Sequence, residues 1–366
     1  MRASKWIPWL IFGAALIGVA LAFATFFEQI PTDQNTLAMD WKGYLWPGLR
    51  DGLPYTDVNG TVRNPPWTVI PLLPLGQMSM RASWGILSLI TLVILLISVP
   101  RVPRRSLYWI SVLALIFSLP SIRNLVDGNV EALSIAGVLA LLYGYRRENP
   151  LILALGILFA VAKPQVTSLL MLALGLYVFQ SRPPRLWLMT AILVVLVATP
   201  ALWWRGEQWL AMMFGIPEKG SIMDLSLMAA LERTGWLPAA LNRAIWLGVI
   251  GITGGVTWLS KRSLTREKAG MLIAASLLVA PYAASTLTLV AIGVVPFFQK
   301  NRLWGGVLLL LAFAQVFLNT AAAVGIFAYY STAFVGITWV VLLWHVWRTE
   351  IHAPAPVPAA PPVMAG

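Results

Sequence analysis

The chain of 366 residues contains no cysteine and only two histidines, His345 and His352. Without thiols there is no disulfide and no thiolate metal site, and a catalytic zinc has too few imidazoles to build on. Charge is scarce as well: 11% of residues are Asp, Glu, Lys or Arg, against 59% apolar ones and a mean hydropathy of +0.78. Soluble domains carry about a quarter charged residues, so the composition is that of an integral membrane protein. The dyad alternation of an outer-membrane barrel is missing too. That leaves helices, whose backbone groups satisfy one another in hydrocarbon.

What charge there is has a pattern. A net charge of +12 would point to nucleic acid in a soluble protein, but here the basic residues fall in short connections between apolar runs. The clusters are Arg2/Lys5, Arg101/Arg104/Arg105, Arg146/Arg147, Arg182/Arg185, Lys261/Arg262/Arg266/Lys268 and Lys300/Arg302. By the positive-inside rule these are cytoplasmic loops, and no nucleic-acid partner is implied. The intervening connections hold Glu28, Asp33, Asp40, Asp51, Asp57, Asp127, Glu131, Glu207, Glu218, Asp224 and Glu232, and are expected to face outward. The expected localisation is a bacterial plasma membrane with both termini cytoplasmic.

Apolar runs divide the chain into about 11 to 13 crossings, several of them shorter than the roughly 20 residues that span a bilayer core. The expected fold is therefore all-α and polytopic, with one transmembrane unit over 1–350 and a disordered Pro/Ala tail over 351–366. Trp6 to Phe27, behind Arg2 and Lys5, is longer than a signal-peptide core and reads as a retained first helix. The stretch 67–99 is either one kinked crossing or two short ones, because Pro71 and Pro74 interrupt its first half. Lys163-Pro164 interrupts about thirty apolar residues flanked by basic pairs, which places Lys163 at the outer turn of a short hairpin. Most of the eighteen tryptophans read as an interfacial belt.

The first long connection, 28–66, differs from the rest. Trp41, Tyr44, Leu45, Trp46 and Leu49 have helical spacing, so 41–50 is expected to be a short amphipathic helix at the interface. Asp40 stands where its N-cap would be; a capping carboxylate and a catalytic one both fit that position. "DGLPYTDVNG" reads as consecutive turns, and "NPPW" as a rigid extended lead into the second span. Asp40, Asp51 and Asp57 are oxygen ligands of the kind that suit a divalent cation, but the turn residues between them favour solvated loop acids. No metal and no cofactor is expected.

An Asp after the first helix, a Tyr four residues on, then "GLPY" and a Pro-Pro pair together resemble glycosyltransferase family 87. The matching residues are Asp40, Tyr44, Gly52, Pro54, Tyr55, Pro65 and Pro66. "DGNVEAL" (127–133), "LGILFAVAKPQ" (155–165) and "VAPYAAST" (279–286) are similar, in order, to later family segments. Many relatives carry a His or Asp in the last of these, where this chain has Ala283, Ala284, Ser285 and Thr286.

The resemblance implies a GT-C-like membrane enzyme that moves a hexose, with mannose expected, from a polyprenyl-phosphate donor to a lipid or glycan acceptor on the outer face. Such a transfer needs a base for the acceptor proton and positive charge for the departing phosphate. Asp40 is the candidate base. Lys163, Arg63 and Arg123 are the candidate phosphate ligands, and Tyr44, Tyr55, Asn64, Asn129 and Glu131 the candidate substrate contacts. Lys163 also fits a snorkelling lysine that closes a hairpin. The segment 204–236 is long enough to cover the site as a lid. A transporter or flippase would need ionisable groups within its spans or paired inverted repeats, and no repeat is present. An O-antigen ligase or polymerase is expected to carry its main outer loop late in the chain, not after the first helix.

Overall fold

The computed structural model describes residues 7–32, 37–52, 55, 64–214, 224–318 and 324–352. Among these residues there are helices and no strands. In chain order they are α1 (Ile7–Glu28), a π-helical turn (Trp41–Leu45) running into α2 (Trp46–Arg50), α3 (Pro66–Val69), α4 (Leu73–Gly76), α5 (Met80–Ser98), α6 (Arg105–Ile116) and α7 (Leu119–Asp127). Then come α8 (Glu131–Arg147), α9 (Pro150–Ala160), α10 (Pro164–Ser181), α11 (Pro184–Phe214), α12 (Leu227–Thr234), α13 (Ala239–Leu259) and α14 (Arg266–Val279). The last are α15 (Leu287–Leu289), α16 (Val295–Lys300), α17 (Arg302–Leu318) and α18 (Val324–Val346).

Among the described residues, five stretches are long and apolar enough to cross a membrane: Leu10–Glu28, Met80–Ser98, Pro184–Met212, Ala239–Leu259 and Ala328–Ile351. A sixth crossing arises if α6 and α7, bent by 51° at a short break, count as one span. The sequence expectation of about 11 to 13 crossings is not reached by this measure. The shortfall lies in apolar helices such as Pro66–Gly76 and Pro150–Ala160, which hydropathy counts as crossings. The 11 residues of α9 extend only about 16 Å at 1.5 Å per residue.

The ambiguous stretch 67–99 resolves into a broken helical piece, Pro66–Gly76, followed by an unbroken α5 of 19 residues. Ser79 caps α5, its hydroxyl accepting from the Ala82 amide at 3.1 Å, so Arg81 sits in the first turn. Arg81 reaches back to the end of α1, donating to the Glu28 carbonyl and the Thr32 hydroxyl, both at 3.3 Å.

The centre of the molecule is α14. Residues Glu267 to Leu278 are all buried, the mark of a helix surrounded on every side. It crosses the π-helical turn Val290–Val294 at a glycine pair: a Cβ on Gly270 would stand 2.4 Å from the Gly293 Cα. A second close approach joins α8 to α9. A Cβ on Gly137 would lie 2.0 Å from the Ala160 amide nitrogen, and one on Gly156 would lie 2.3 Å from that of Leu141. Small residues let the two backbones meet, and this contact fixes the end of α9 against the start of α8.

Candidate active site

Three segments from distant parts of the chain converge where α7 ends and α8 begins. The first is the turn before Trp41. Ala38 has φ 54°, and its amide donates to the Val126 carbonyl at 2.7 Å. Trp41 is wholly buried, its indole donating to the Ser83 hydroxyl at 3.0 Å. Gly128 terminates α7 in the left-handed region, φ 70°, and leaves room for Trp41: a Cβ there would stand 2.5 Å from the Trp41 Cβ. Trp84 completes the seat by donating to the Leu125 carbonyl at 2.8 Å. Asp40 is thereby held over the α7–α8 connection.

Asp40 does not cap its helix. Its backbone is itself helical, φ −68° and ψ −36°, and its side chain makes no capping hydrogen bond. The carboxylate turns instead to Asn129, whose Nδ2 donates to Asp40 Oδ2 at 2.5 Å. Asn129 Oδ1 in turn accepts the Glu131 amide at 3.0 Å.

The third segment is the turn after α9. An α-helix leaves its last carbonyls without intrahelical donors, and here two of them, with one more in the turn that follows, are taken by side chains. Trp67 donates to the Leu158 carbonyl at 2.9 Å, Thr167 to that of Ala160 at 3.0 Å, and Asn64 to that of Ala162 at 2.8 Å. The "NPPW" lead is thus docked on the α9–α10 turn. The next residue, Lys163, extends its ammonium to 3.5 Å from Glu131 Oε2. Glu131 has no exposed surface; its other oxygen accepts both the amide and the hydroxyl of Thr288 at 2.9 Å. Among the described residues Oε2 has no hydrogen-bond partner, so at 3.5 Å Lys163 acts on it as a charge.

The expected site residues therefore fall into groups. Asp40, Asn129, Glu131 and Lys163 form one connected set. Asn64 and Tyr55 flank it: the Tyr55 hydroxyl donates to the Asn64 carbonyl at 2.5 Å, and burial pushes its phenol above the ordinary tyrosine range. Arg123 pairs with Asp127 at 3.6 Å, and Asp127 lies within electrostatic reach of both Asp40 and Lys163. Tyr44, on the same short helix as Trp41, is 39% exposed. Arg63 and Asp57 lie outside the described residues. Glu131, one of the expected substrate contacts, faces Thr288 and Lys163 within the protein.

Residues that sequence reasoning passed over complete the surroundings. Thr288 joins the late part of the chain to Glu131. Asp224, buried, accepts the amides of Ser226 at 2.9 Å and Ala283 at 3.0 Å, and Leu225 donates to the Ala283 carbonyl at 2.7 Å. The "VAPYAAST" loop, which lacks an acid of its own, is therefore held by one from elsewhere. On the side of the first loop, α11 runs on past a kink at Arg205. Arg205 donates to the Gly52 carbonyl at 3.3 Å, and Trp209 meets Trp67 edge to face with centroids 5.6 Å apart. Residues 215–223 of the expected lid lie outside the described residues.

A helical membrane protein with a carboxylate, an amide and an ammonium gathered where loops meet helix ends is the class that fold and site define. The sequence profile of Glycosyltransferase family 87 matches residues 63–289, more than half of the chain, and the chain belongs to that family. It is a membrane glycosyltransferase. The match begins after Asp40, so the Trp41–Arg50 helix lies outside the matched stretch. Nothing among curated proteins or solved structures matches the chain.

Proposed function

We propose that the protein transfers a hexose, with mannose the first candidate, from a polyprenyl-phosphate carrier to a hydroxyl of a lipid or glycan acceptor, in one inverting step on the outer side of the membrane. The observation that carries this reading is the linkage of Asp40 to Lys163 through Asn129 and Glu131. It sets a proton acceptor and a cation in one cluster, which are the two groups the reaction needs.

In this mechanism the acceptor hydroxyl oxygen forms a bond to the anomeric carbon as the bond from that carbon to the phosphate oxygen breaks. The electron pair leaves with the polyprenyl phosphate, and the hydroxyl proton passes to Asp40. Lys163 and Arg123 meet the departing charge, as Arg63 would from the first loop. Attack opposite the leaving group inverts the anomeric centre and forms no sugar–enzyme bond. Tyr44 and Asn64 are the proposed sugar contacts, with Tyr55 holding Asn64.

The test is transfer by the purified full-length chain from a panel of polyprenyl-phosphate sugars to membrane lipid extract, comparing wild type with Asp40→Asn and Lys163→Met. Asp40→Asn is expected to bind donor and lose turnover by 100-fold or more, in line with removal of a general base. Lys163→Met is expected to weaken donor binding. Full turnover by a folded Asp40→Asn would end the assignment.

A further inference from the structure

Asn129 has both ends of its side-chain amide committed. Its carbonyl oxygen accepts the Glu131 amide at 3.0 Å, so its NH2 is the end that faces Asp40, at 2.5 Å. The rest of the residue is equally fixed. The Asn129 amide donates to the Asn124 carbonyl at 3.0 Å, closing the turn that Gly128 makes in the left-handed region. With its main chain fixed in the turn and both ends of its side-chain amide engaged, Asn129 has little freedom left with which to follow a sugar.

We propose that Asn129 is a positioning residue, not a substrate ligand: it holds one oxygen of Asp40 and leaves the other, Oδ1, aimed at the acceptor hydroxyl. This rests on the assignment of Asp40 as the base and adds to it the group that orients that base. A carboxylate rotating freely about its last bond would present either oxygen to the acceptor. With Oδ2 pinned, the rotation of the carboxylate is fixed and so is the direction of Oδ1, and orientation of this kind is a large part of the rate advantage of a bound base. Among the described residues, Asp127, paired with Arg123, lies within electrostatic reach of both Asp40 and Lys163. On the helix that follows Asp40, Lys42 donates to the Thr32 carbonyl at 2.5 Å.

Two substitutions in the full-length protein test the assignment, with polyprenyl-phosphate mannose as donor probe. Asn129→Ala is expected to lower kcat by ten-fold or more with donor KM unchanged, whereas a substrate ligand would raise KM. Asn129→Asp keeps the acceptor for the Glu131 amide but sets a carboxylate against Asp40. Two carboxylates at that distance share a proton, so the acidic limb of the pH–rate profile is expected to move up by a unit or more, with activity recovering at higher pH. An unshifted profile in Asn129→Asp, or a KM effect without a kcat effect in Asn129→Ala, overturns the proposal while leaving Asp40 as the base. An active Asp40→Asn overturns both.

Discussion

The Lys163 ammonium stands 3.5 Å from a carboxylate that is itself wholly buried, that of Glu131. Thr288 gives the far oxygen of that carboxylate two donors, and among the described residues the near oxygen faces Lys163 without a hydrogen bond. Removing one partner of such a pair strands the other, at a cost of about 3 kcal/mol. Glu131→Gln is therefore expected to lower thermal stability in detergent by about that much, because its amide NH2 would face the ammonium. Adding Lys163→Met to Glu131→Gln should recover part of the loss, with a coupling energy of about 1–3 kcal/mol in a double-mutant cycle. Purely additive effects would mean that the two residues do not interact.

Gly128 supports the site in two separable ways. Its φ of 70° is one that a residue with a Cβ adopts at a cost of about 1–2 kcal/mol, and a Cβ there would also collide with Trp41 at 2.5 Å. Gly52 has nearly the same φ, 67°, but nothing lies within 4 Å of its would-be Cβ. Gly52→Ala should thus show the backbone term alone. Gly128→Ala should add an overpacking cost of about 1–3 kcal/mol and, by shifting Trp41, reduce turnover. Equal stability losses in the two variants would show that the Trp41 contact carries no weight.

The helical class and the approximate positions of most helices were legible from hydropathy, because a buried or lipid-facing helix writes its apolar run directly into the sequence. Span number was not. A helix of 11 residues such as α9 and a full crossing have the same local composition, and only packing decides how far each reaches. At the site, Asp40 and Lys163 stood out as isolated charges beside apolar runs. That Glu131 faces inward did not, since its partner Thr288 lies 157 residues away and no local pattern announces the pair. Asp40 also shows the limit of capping rules: its backbone is already helical, so the geometry of a cap is lost, and the carboxylate takes the Asn129 amide.

The same limit applies at the basic end of α14. In the sequence Lys268 belongs to a loop cluster with Lys261, Arg262 and Arg266, whereas in the fold its side chain has no exposed surface and its ammonium lies 2.5 Å from Glu350. It also donates to the Lys261 carbonyl at 2.6 Å and sits 5.1 Å above the centre of the Tyr177 ring. The Glu350 pair ties the π-helical turn Trp347–Ile351, which follows α18, to the central helix. Lys268→Met leaves Glu350 buried without its ion-pair partner, with the charge and backbone amide of Lys261 as its remaining support, and an expected loss of about 3 kcal/mol. Lys268→Met combined with Glu350→Gln removes the stranded charge and should regain most of it. Thermal unfolding of the three variants in one detergent decides the matter: a double variant no more stable than Lys268→Met would show that α18 is held by packing and not by this pair.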